Sequence, residues 1–392
     1  MGAHTMTPLL QHSSGHASTL SLGRPWRFLD LLHSASQRLL TLTAIAVAIS
    51  WVPPALLSAL RGGTVFLSYL TDYASQSRFL IIVPLLMLAA PDVHRRVTRV
   101  EQYLEQFVQE SQLSTFKASW ASFNRVGNST IVKVSVLLLT YAFAIWMGRN
   151  LSSEGVEIVD WWRGSGGFRW FSPAGTWALF VSYPILLFLT LLWLWRQLLW
   201  TRFMWATARL DLRLVAAHPD GLGGIGFVES ALRGQQAFSF CLGAALAGAV
   251  ANRMFHHGQK LTSFADVAAV LVAAVLLICV APYFAFTPAL LHMRREGLLK
   301  YGGFARAAGE QFEQKWLNRP ESLNQDVLMV MDFSAMQDLY GVVSNVNKVS
   351  ALPVSRLDLY GLFAAAFVPA IPVVIGSVPF DVVARAAMKM LL

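Results

Sequence analysis

Charged residues are scarce in this chain of 392 residues, at 14% of the sequence. Ordinary soluble domains carry about 25%, so the composition argues against the two soluble domains that the length alone would allow. Cysteine is scarcer still, with two in the chain. Cys241 and Cys279 fall inside apolar stretches, where cysteine acts as a small apolar side chain. No disulfide framework is therefore expected.

Apolar residues take the place of the missing charge, at 55% of the chain with a mean hydropathy of +0.50. A helix needs about 20 apolar residues to cross the hydrocarbon core of a bilayer. The sequence predicts an all-α fold, a polytopic bundle of about seven transmembrane helices with a small helical cytoplasmic layer. The seven apolar stretches are roughly 39–60, 76–91, 131–148, 176–195, 236–252, 267–291 and 359–378.

The net charge of +9 is distributed unequally between the loops. With the N-terminus in the cytoplasm, 21 basic residues fall on the cytoplasmic side and nine on the other, while Lys133 lies inside the third stretch. This bias follows the positive-inside rule, which predicts a cytoplasmic N-terminus. It also explains the basic composition through the lipid bilayer, without a nucleic-acid partner.

The chain divides into a polar tail and a membrane domain. Residues 1–37, rich in Ser, His, Thr and Gly, predict a disordered cytoplasmic N-terminal tail. Residues 38–392 form the transmembrane domain. Its helical cytoplasmic insertions are predicted at 92–130, 196–235 and 292–357, and the last of these is a candidate surface for a cytoplasmic protein partner. No internal repeat of clear register is evident.

Prolines interrupt five of the seven stretches. Proline removes a backbone donor, and in lipid the carbonyl that it frees needs a donor from a neighbouring helix or water. Broken helices occur at transport sites, and they also occur in bundles without a transport role. The prolines are Pro53 and Pro54, Pro84, Pro184, Pro282 and Pro288, and Pro369 and Pro372.

The fifth stretch, 236–252, is rich in small residues. Gly243, Ala247 and Ala251 recur every four positions, and small residues let helix backbones approach closely in a membrane. This helix is therefore expected inside the bundle or at an oligomer seam, and a homo-oligomer is predicted.

The segment 209–227 carries the residues most suggestive of a site. The fourth helix is expected to continue into this segment and to end before Pro219. Arg202, Arg209 and Arg213 would then lie on one face of it. Glycines then permit a tight loop with exposed backbone. The ligand or gating candidates are Arg202, Arg209, Arg213, His218, Asp220, Gly223, Gly224 and Gly226.

Three interpretations of this segment stay open. Backbone N–H groups of the loop would form an anion nest near the arginines. Alternatively, His218 and Asp220 would form a metal or acid–base site with His94, Asp92 and His292, although these residues lack metal-site spacing. In the third, structural interpretation Asp220 caps the turn and the arginines face lipid headgroups. No metal site and no cofactor are predicted, and His94, His218, Asp220 and His292 are the weak metal candidates.

The string DLRLVAAHPDGLGGIGF at 211–227 resembles a His-Pro-Asp-x-x-Gly-Gly-x-Gly-Phe motif of an uncharacterised family of bacterial multi-pass membrane proteins. The resemblance extends to RFLIIVPLLMLAAPDVHRR at 78–96, to 183–205 and to FEQKW at 312–316, and is weaker in MDFSAMQDL at 331–339. It implies a location in the bacterial inner membrane. It implies no activity.

Three classes of function remain. The stretches carry few ionisable residues, which argues against ion-coupled transport and is compatible with an oligomeric channel or passive transport protein. The first alternative is a membrane scaffold or signalling component that docks partners through 292–357. The second is a membrane-embedded enzyme that uses His218 and Asp220, so the sequence leaves open whether the protein is an enzyme.

Overall fold

The computed structural model describes residues 35–151, 159–164, 171–317 and 331–377. Within these ranges the chain is helical, with two isolated β-bridges and no strand, which confirms the all-α fold. Of the predicted tail, 1–34 lies outside the described residues, and 35–37 already belong to the first helix. The helices are α1 Ala35–Arg61, α2 Gly63–Leu70, α3 Tyr73–Gln76, α4 Val83–Glu105, α5 Leu113–Gly127, α6 Thr130–Leu151, α7 Pro173–Trp177, α8 Tyr183–Thr207, α9 Glu229–Gly234, α10 Gln236–His257, α11 Ala265–Val280, α12 Thr287–Trp316, α13 Met331–Asn347, α14 Arg356–Phe367 and α15 Ile371–Ser377.

Seven of the helical segments are long and apolar enough to cross a membrane, as predicted. The short stretch 76–91 is the middle of a continuous 33-residue segment, so it has the length to span. We number them span 1 to span 7: Ser36–Arg61, Tyr73–Glu105, Thr130–Asn150, Pro173–Thr207, Gly226–His257, Leu261–Trp316 and Arg356–Gly376. The connections 106–129, 208–225 and 317–355 mark one end of the bundle, which we call the basic end.

Spans 2 and 4 are built to the same plan. Each starts with a side-chain cap, in which Asp72 accepts a hydrogen bond from the N–H of Ser75 and Ser172 accepts one from the N–H of Gly175. Each continues through a π-helical segment, Ser77–Ile82 or Ala178–Ser182, into a regular helix with a proline in its first turn. The wider π turn accommodates the missing proline N–H. Ser172 follows Asp72 by 100 residues, and Pro184 follows Pro84 by 100, so the two spans share the spacing between cap and proline.

The carbonyls freed by the two prolines of span 1 find donors on span 4. A proline at position i leaves the carbonyl of residue i−4 without its helical partner. Here those carbonyls belong to Ile49 and Ser50. Trp177 Nε1 donates to Ile49 O at 3.0 Å, and Ser182 Oγ donates to Ser50 O at 2.7 Å. Span 1 therefore continues as an α-helix through both prolines.

Span 6 behaves differently, because its helix changes type. The α-helix ends at Val280, a 3₁₀ segment occupies Ala281–Phe286, and an α-helix resumes at Thr287. Pro282 at the start of this break frees the carbonyl of Ile278, and Gln197 Nε2 of span 4 donates to it at 2.8 Å. Span 7 also changes to 3₁₀ helix, at Val368–Ala370 around its own proline.

Span 5 lies inside the bundle, and its small residues allow the neighbouring backbones to come close. A Cβ on Gly243 would overlap the carbonyl of Ala366 on span 7. A Cβ on Gly248 would lie 2.8 Å from the carbonyl oxygen of Tyr73 on span 2. The small-residue face is thus used between spans of one chain, which is the first of the two predicted placements.

The end opposite the basic end holds a buried carboxylate whose two oxygens are both paired. Asp72 is 4% exposed. Asn252 Nδ2 donates to its Oδ1 at 2.6 Å, while Ser75 Oγ and Trp161 Nε1 donate to its Oδ2 at 2.7 and 3.1 Å. A buried charge is tolerable when its hydrogen bonds are made. This cluster joins span 2 to span 5 and to the connection before span 4.

The contact between spans 5 and 7 predicts the effect of filling it. We expect Gly243→Ala to lower the free energy of unfolding by about 1–3 kcal/mol, since overpacking forces the helices apart. Gly302→Ala is the matched control: Gly302 lies in helix α12 with no atom near its missing Cβ, and alanine there stabilises by about 0.5–1 kcal/mol. Thermal unfolding of both variants in detergent measures the difference. Equal midpoints would contradict the close contact.

Candidate functional site

The segment between spans 4 and 5 does not continue the helix as predicted. Helix α8 ends at Thr207, well before Pro219. The backbone then runs beside the end of span 2, where Arg213 N donates to Phe107 O at 2.7 Å and Leu212 forms an antiparallel bridge with Val108. The backbone groups that would have continued the helix are used in this pairing.

The predicted common face of the three arginines is therefore wrong. Arg202 lies on α8, whereas Arg209 and Arg213 lie beyond its end in irregular backbone. All three residues are exposed at the basic end. They contribute positive charge to this surface without converging on a shared helical stripe.

The glycine-rich loop that follows does form a nest, and the anion in it is the protein's own. The N–H groups of Leu222 and Gly224 donate to Asp220 Oδ1 at 2.8 and 3.1 Å, and that of Gly226 donates to Oδ2 at 3.0 Å. His218 Nδ1 lies 2.8 Å from Oδ1. The arrangement agrees with the structural interpretation, in which Asp220 caps the turn, and these three N–H groups bind Asp220 in place of an external anion.

These hydrogen bonds change the acidity of Asp220. Partial burial disfavours the charged carboxylate, but the hydrogen bonds from Leu222, Gly226, His218 and Gly224 outweigh it, and the pKa of Asp220 lies below its ordinary value. Asp220 is therefore held in its ionised form at neutral pH. Its oxygens are engaged with the loop.

Two of the glycines are required by backbone conformation and by close contact. Gly223 and Gly224 have positive φ angles of 69° and 96°, which residues with a side chain rarely adopt. A Cβ on Gly223 would lie 2.7 Å from Met293 Sδ on span 6, and one on Gly224 would lie 2.8 Å from the ring of Phe107. The loop is thus wedged between the ends of spans 2 and 6.

The weak metal candidates do not assemble. Among the described residues, no group of three or more His, Cys, Asp or Glu side chains could hold a metal ion. His218 pairs with Asp220, whereas His292 pairs with Glu296 one turn along its own helix, at 3.1 Å. His94 lies on α4 in span 2, and neither of these two pairs includes it. The candidates thus belong to separate local contacts.

A second polar cluster, which the sequence analysis missed, lies where spans 5 and 7 begin. Arg233 bridges two carboxylates, with Nη2 at 3.3 Å from Glu229 Oε1 and Nε at 3.2 Å from Asp358 Oδ1. Glu229 Oε2 also accepts the N–H of Ser355 at 3.1 Å, and Ser355 Oγ caps the first turn of span 7. We call Glu229, Arg233, Ser355 and Asp358 the carboxylate cluster.

The break in span 6 lies in the core that also holds the starts of spans 5 and 7. Tyr283 lies in the 3₁₀ segment, is fully buried, and belongs to the same core as Trp200 of span 4, Leu232 of span 5 and Leu362 of span 7. Four spans therefore meet near the carboxylate cluster at the basic end.

Two sequence signals could have indicated this cluster. Glu229 and Arg233 have the spacing of four that makes an ion pair on a helix. Ser355 and Asp358 have the spacing of three found in N-terminal capping boxes. What the sequence hides is the contact between them, because the two pairs are separated by more than 120 residues.

The chain was compared with protein-family models, with curated proteins and with solved structures, and it matches none of them. The resemblance to the bacterial family therefore stays a prediction.

Asp220 provides a test of the loop. We expect Asp220→Asn to lower the free energy of unfolding by about 1–3 kcal/mol, because an amide nitrogen replaces an oxygen that accepts backbone N–H groups. Thermal unfolding in detergent and limited proteolysis of the loop would measure the effect. Asp211→Asn is the control, since Asp211 accepts one exposed side-chain bond, from Gln112, and its loss should cost less than about 0.5 kcal/mol.

The stabilisation by Asp220 should depend on pH. Its native pKa lies below that of the unfolded chain, so its contribution is complete above the ordinary aspartate pKa of about 3.9. It is lost as the pH falls through the native pKa. The difference between the wild type and Asp220→Asn should thus still be present at about pH 5 and shrink below pH 4. A difference that keeps growing below pH 4 would contradict this account.

Proposed function

We propose that this integral membrane protein is a channel or passive transport protein of the bacterial inner membrane, with its N-terminus in the cytoplasm. The observation that carries the proposal is the break in span 6 beside the carboxylate cluster. Discontinuous helices at transport sites place backbone and side-chain oxygens at the level of the membrane. Ionisable groups buried among spans mark solute or ion paths.

The depth of the break fits an entrance to such a path. Tyr283 lies 18 residues beyond the start of α11 at Ala265. At 1.5 Å per residue this is about 27 Å along the helix, close to the about 30 Å of a hydrocarbon core. The polar region thus falls near the boundary on the basic side, where a solute from the cytoplasm would meet it first.

The proposed homo-oligomer would form through surfaces other than the small-residue face of span 5. The small-residue face of span 5 packs inside the chain, against spans 2 and 7. A homo-oligomer would form through lipid-facing helices such as span 3, whose apolar residues Leu138 and Trp146 are exposed.

A scaffold or signalling role is the second candidate, because one observation favours it. The exposed apolar residues of 292–357 include Leu299, Phe304, Leu317, Tyr340 and Leu357. On α12, Phe312 and Trp316 pack on Phe333 of α13, whereas Phe304 is exposed. A partner with an apolar surface would cover these residues.

Flux through purified protein in liposomes tests the transport proposal. We expect the wild type to conduct small ions, and Asp358→Asn to change the flux about tenfold or more. A charge about 4 Å from a permeating ion contributes about 4 kcal/mol at an effective dielectric constant of 20. The matched control is Asp338→Asn, which removes an exposed carboxylate from α13.

The outcomes separate the candidates. Flux that responds to Asp358→Asn and ignores Asp338→Asn supports a path past the carboxylate cluster. Absence of flux for Na⁺, K⁺ and Cl⁻ at every tested pH and voltage would reject the transport proposal and favour the scaffold. Equal flux in all three proteins would place the path elsewhere.

A further inference from the structure

A cleft of about 280 Å³ lies between spans 5, 6 and 7. Every residue that lines it is Gly, Ala, Val, Leu or Phe. Its floor is buried, at Ala247, Val250 and Val373. Its rim is exposed on spans 6 and 7, at Leu261 and Phe367. The cleft is therefore closed on the side of span 5 and opens between spans 6 and 7.

The cleft lies in the half of the bundle opposite the basic end. On span 6 it starts at Leu261, the first residue of that span. On span 5 it reaches Gly243, which lies 14 residues before the end of α10 at His257. At 1.5 Å per residue this is about 21 Å along the helix. A hydrocarbon core is about 30 Å thick, so the cleft begins near one membrane boundary and reaches about the middle of the bilayer.

The apolar walls of the cleft determine which molecules it favours. Ordered water needs about two to four polar partners, and the side chains that line the cleft supply none. An apolar chain would instead gain close contacts with walls from three spans. The volume is near the about 300 Å³ at which small-molecule sites begin. At this depth of a membrane the abundant apolar chain is the acyl chain of a lipid.

The connection between spans 5 and 6 carries positive charge at the boundary end of the cleft. Lys260 is exposed and directly precedes Leu261 on the rim. Arg253 is also exposed and follows Val250 by three residues, so both lie on the same face of α10. With Asp266 in the first turn of α11, these two cations leave one net positive charge. Basic pockets between membrane helices bind anionic lipid headgroups.

We propose that an anionic membrane phospholipid binds in this cleft, with one acyl chain between spans 5, 6 and 7 and its phosphate paired with Lys260 and Arg253. An anionic headgroup complements the net positive charge, whereas a zwitterionic headgroup brings a cation of its own. The bound chain contacts Phe367 and Ala370, which flank and end the 3₁₀ turn of span 7. This lipid site is independent of the proposed transport function.

Photo-crosslinking of the full-length protein in phosphatidylcholine liposomes tests the site. The probe is a phosphatidylglycerol with a diazirine in one acyl chain, and mass spectrometry identifies the labelled residues. We expect saturable labelling of the cleft, for which unlabelled phosphatidylglycerol competes and glycerol phosphate does not. Ala268→Phe fills the cleft from span 6 and should abolish this labelling. Ala269→Phe is the matched control, because Ala269 is exposed on the same helix and lies off the cleft wall.

Lys260→Gln keeps the inference testable if Ala268→Phe does not fold, because it changes an exposed side chain. It should raise the half-saturating fraction of the probe about fivefold, as expected for one cation beside a charged headgroup. Labelling that does not saturate and is equal at the lipid-facing Leu138 of span 3 would show ordinary boundary lipid and overturn the site. Unchanged cleft labelling in Ala268→Phe would overturn it as well. Saturable labelling that ignores Lys260→Gln would overturn the role of the phosphate.

Discussion

A carbonyl that a proline frees inside the bilayer needs a hydrogen bond from another part of the protein or from water, and span 4 supplies the donors for three such carbonyls. Trp177 and Ser182 satisfy span 1, and Gln197 satisfies span 6. An unpaired carbonyl in hydrocarbon costs several kcal/mol, so these contacts fix the rotation and depth of both partners relative to span 4. The proline-rich spans are therefore positioned by specific polar contacts as well as by apolar packing, which in lipid has little directional preference.

Two carboxylates at the basic end, Asp220 and Asp358, differ in how their oxygens are hydrogen-bonded. Asp220 replaces an external anion in a nest of N–H groups, and its loop holds the ends of spans 2 and 6 together. Its hydrogen bonds are local in sequence, so the loop can fold without a ligand. Asp358 forms one ion pair with a distant helix, and no described residue donates a hydrogen bond to its second oxygen. The segment 209–227, whose residues are the most suggestive of a binding site, thus has its N–H groups bound by its own carboxylate.

The sequence predicts correctly the features that depend on a single continuous stretch of chain. Bilayer thickness sets the length of an apolar run, and all seven spans were predicted. Prediction from the sequence failed where the structure depends on contacts between segments that are far apart in the chain. The end of α8 at Thr207 depends on pairing with 107–109, and the carboxylate cluster depends on contacts between residues 233 and 358. Neither contact leaves a periodic trace, because hydrogen bonds and ion pairs need single residues and no repeated pattern.

The contrast of spans 2 and 4 with spans 6 and 7 locates the adaptable part of the bundle. Spans 2 and 4 absorb their prolines in π segments after strong N-terminal caps, and the polar side chains around the cap of span 2 are paired. Spans 6 and 7 break into 3₁₀ helix around their prolines. A 3₁₀ segment has weaker hydrogen-bond geometry than an α-helix, so its conformation costs less to change. Spans 6 and 7 are therefore the part of the bundle that can change conformation at the lowest cost, whereas spans 1, 2 and 4 are held by capped helix starts and by the donors of span 4.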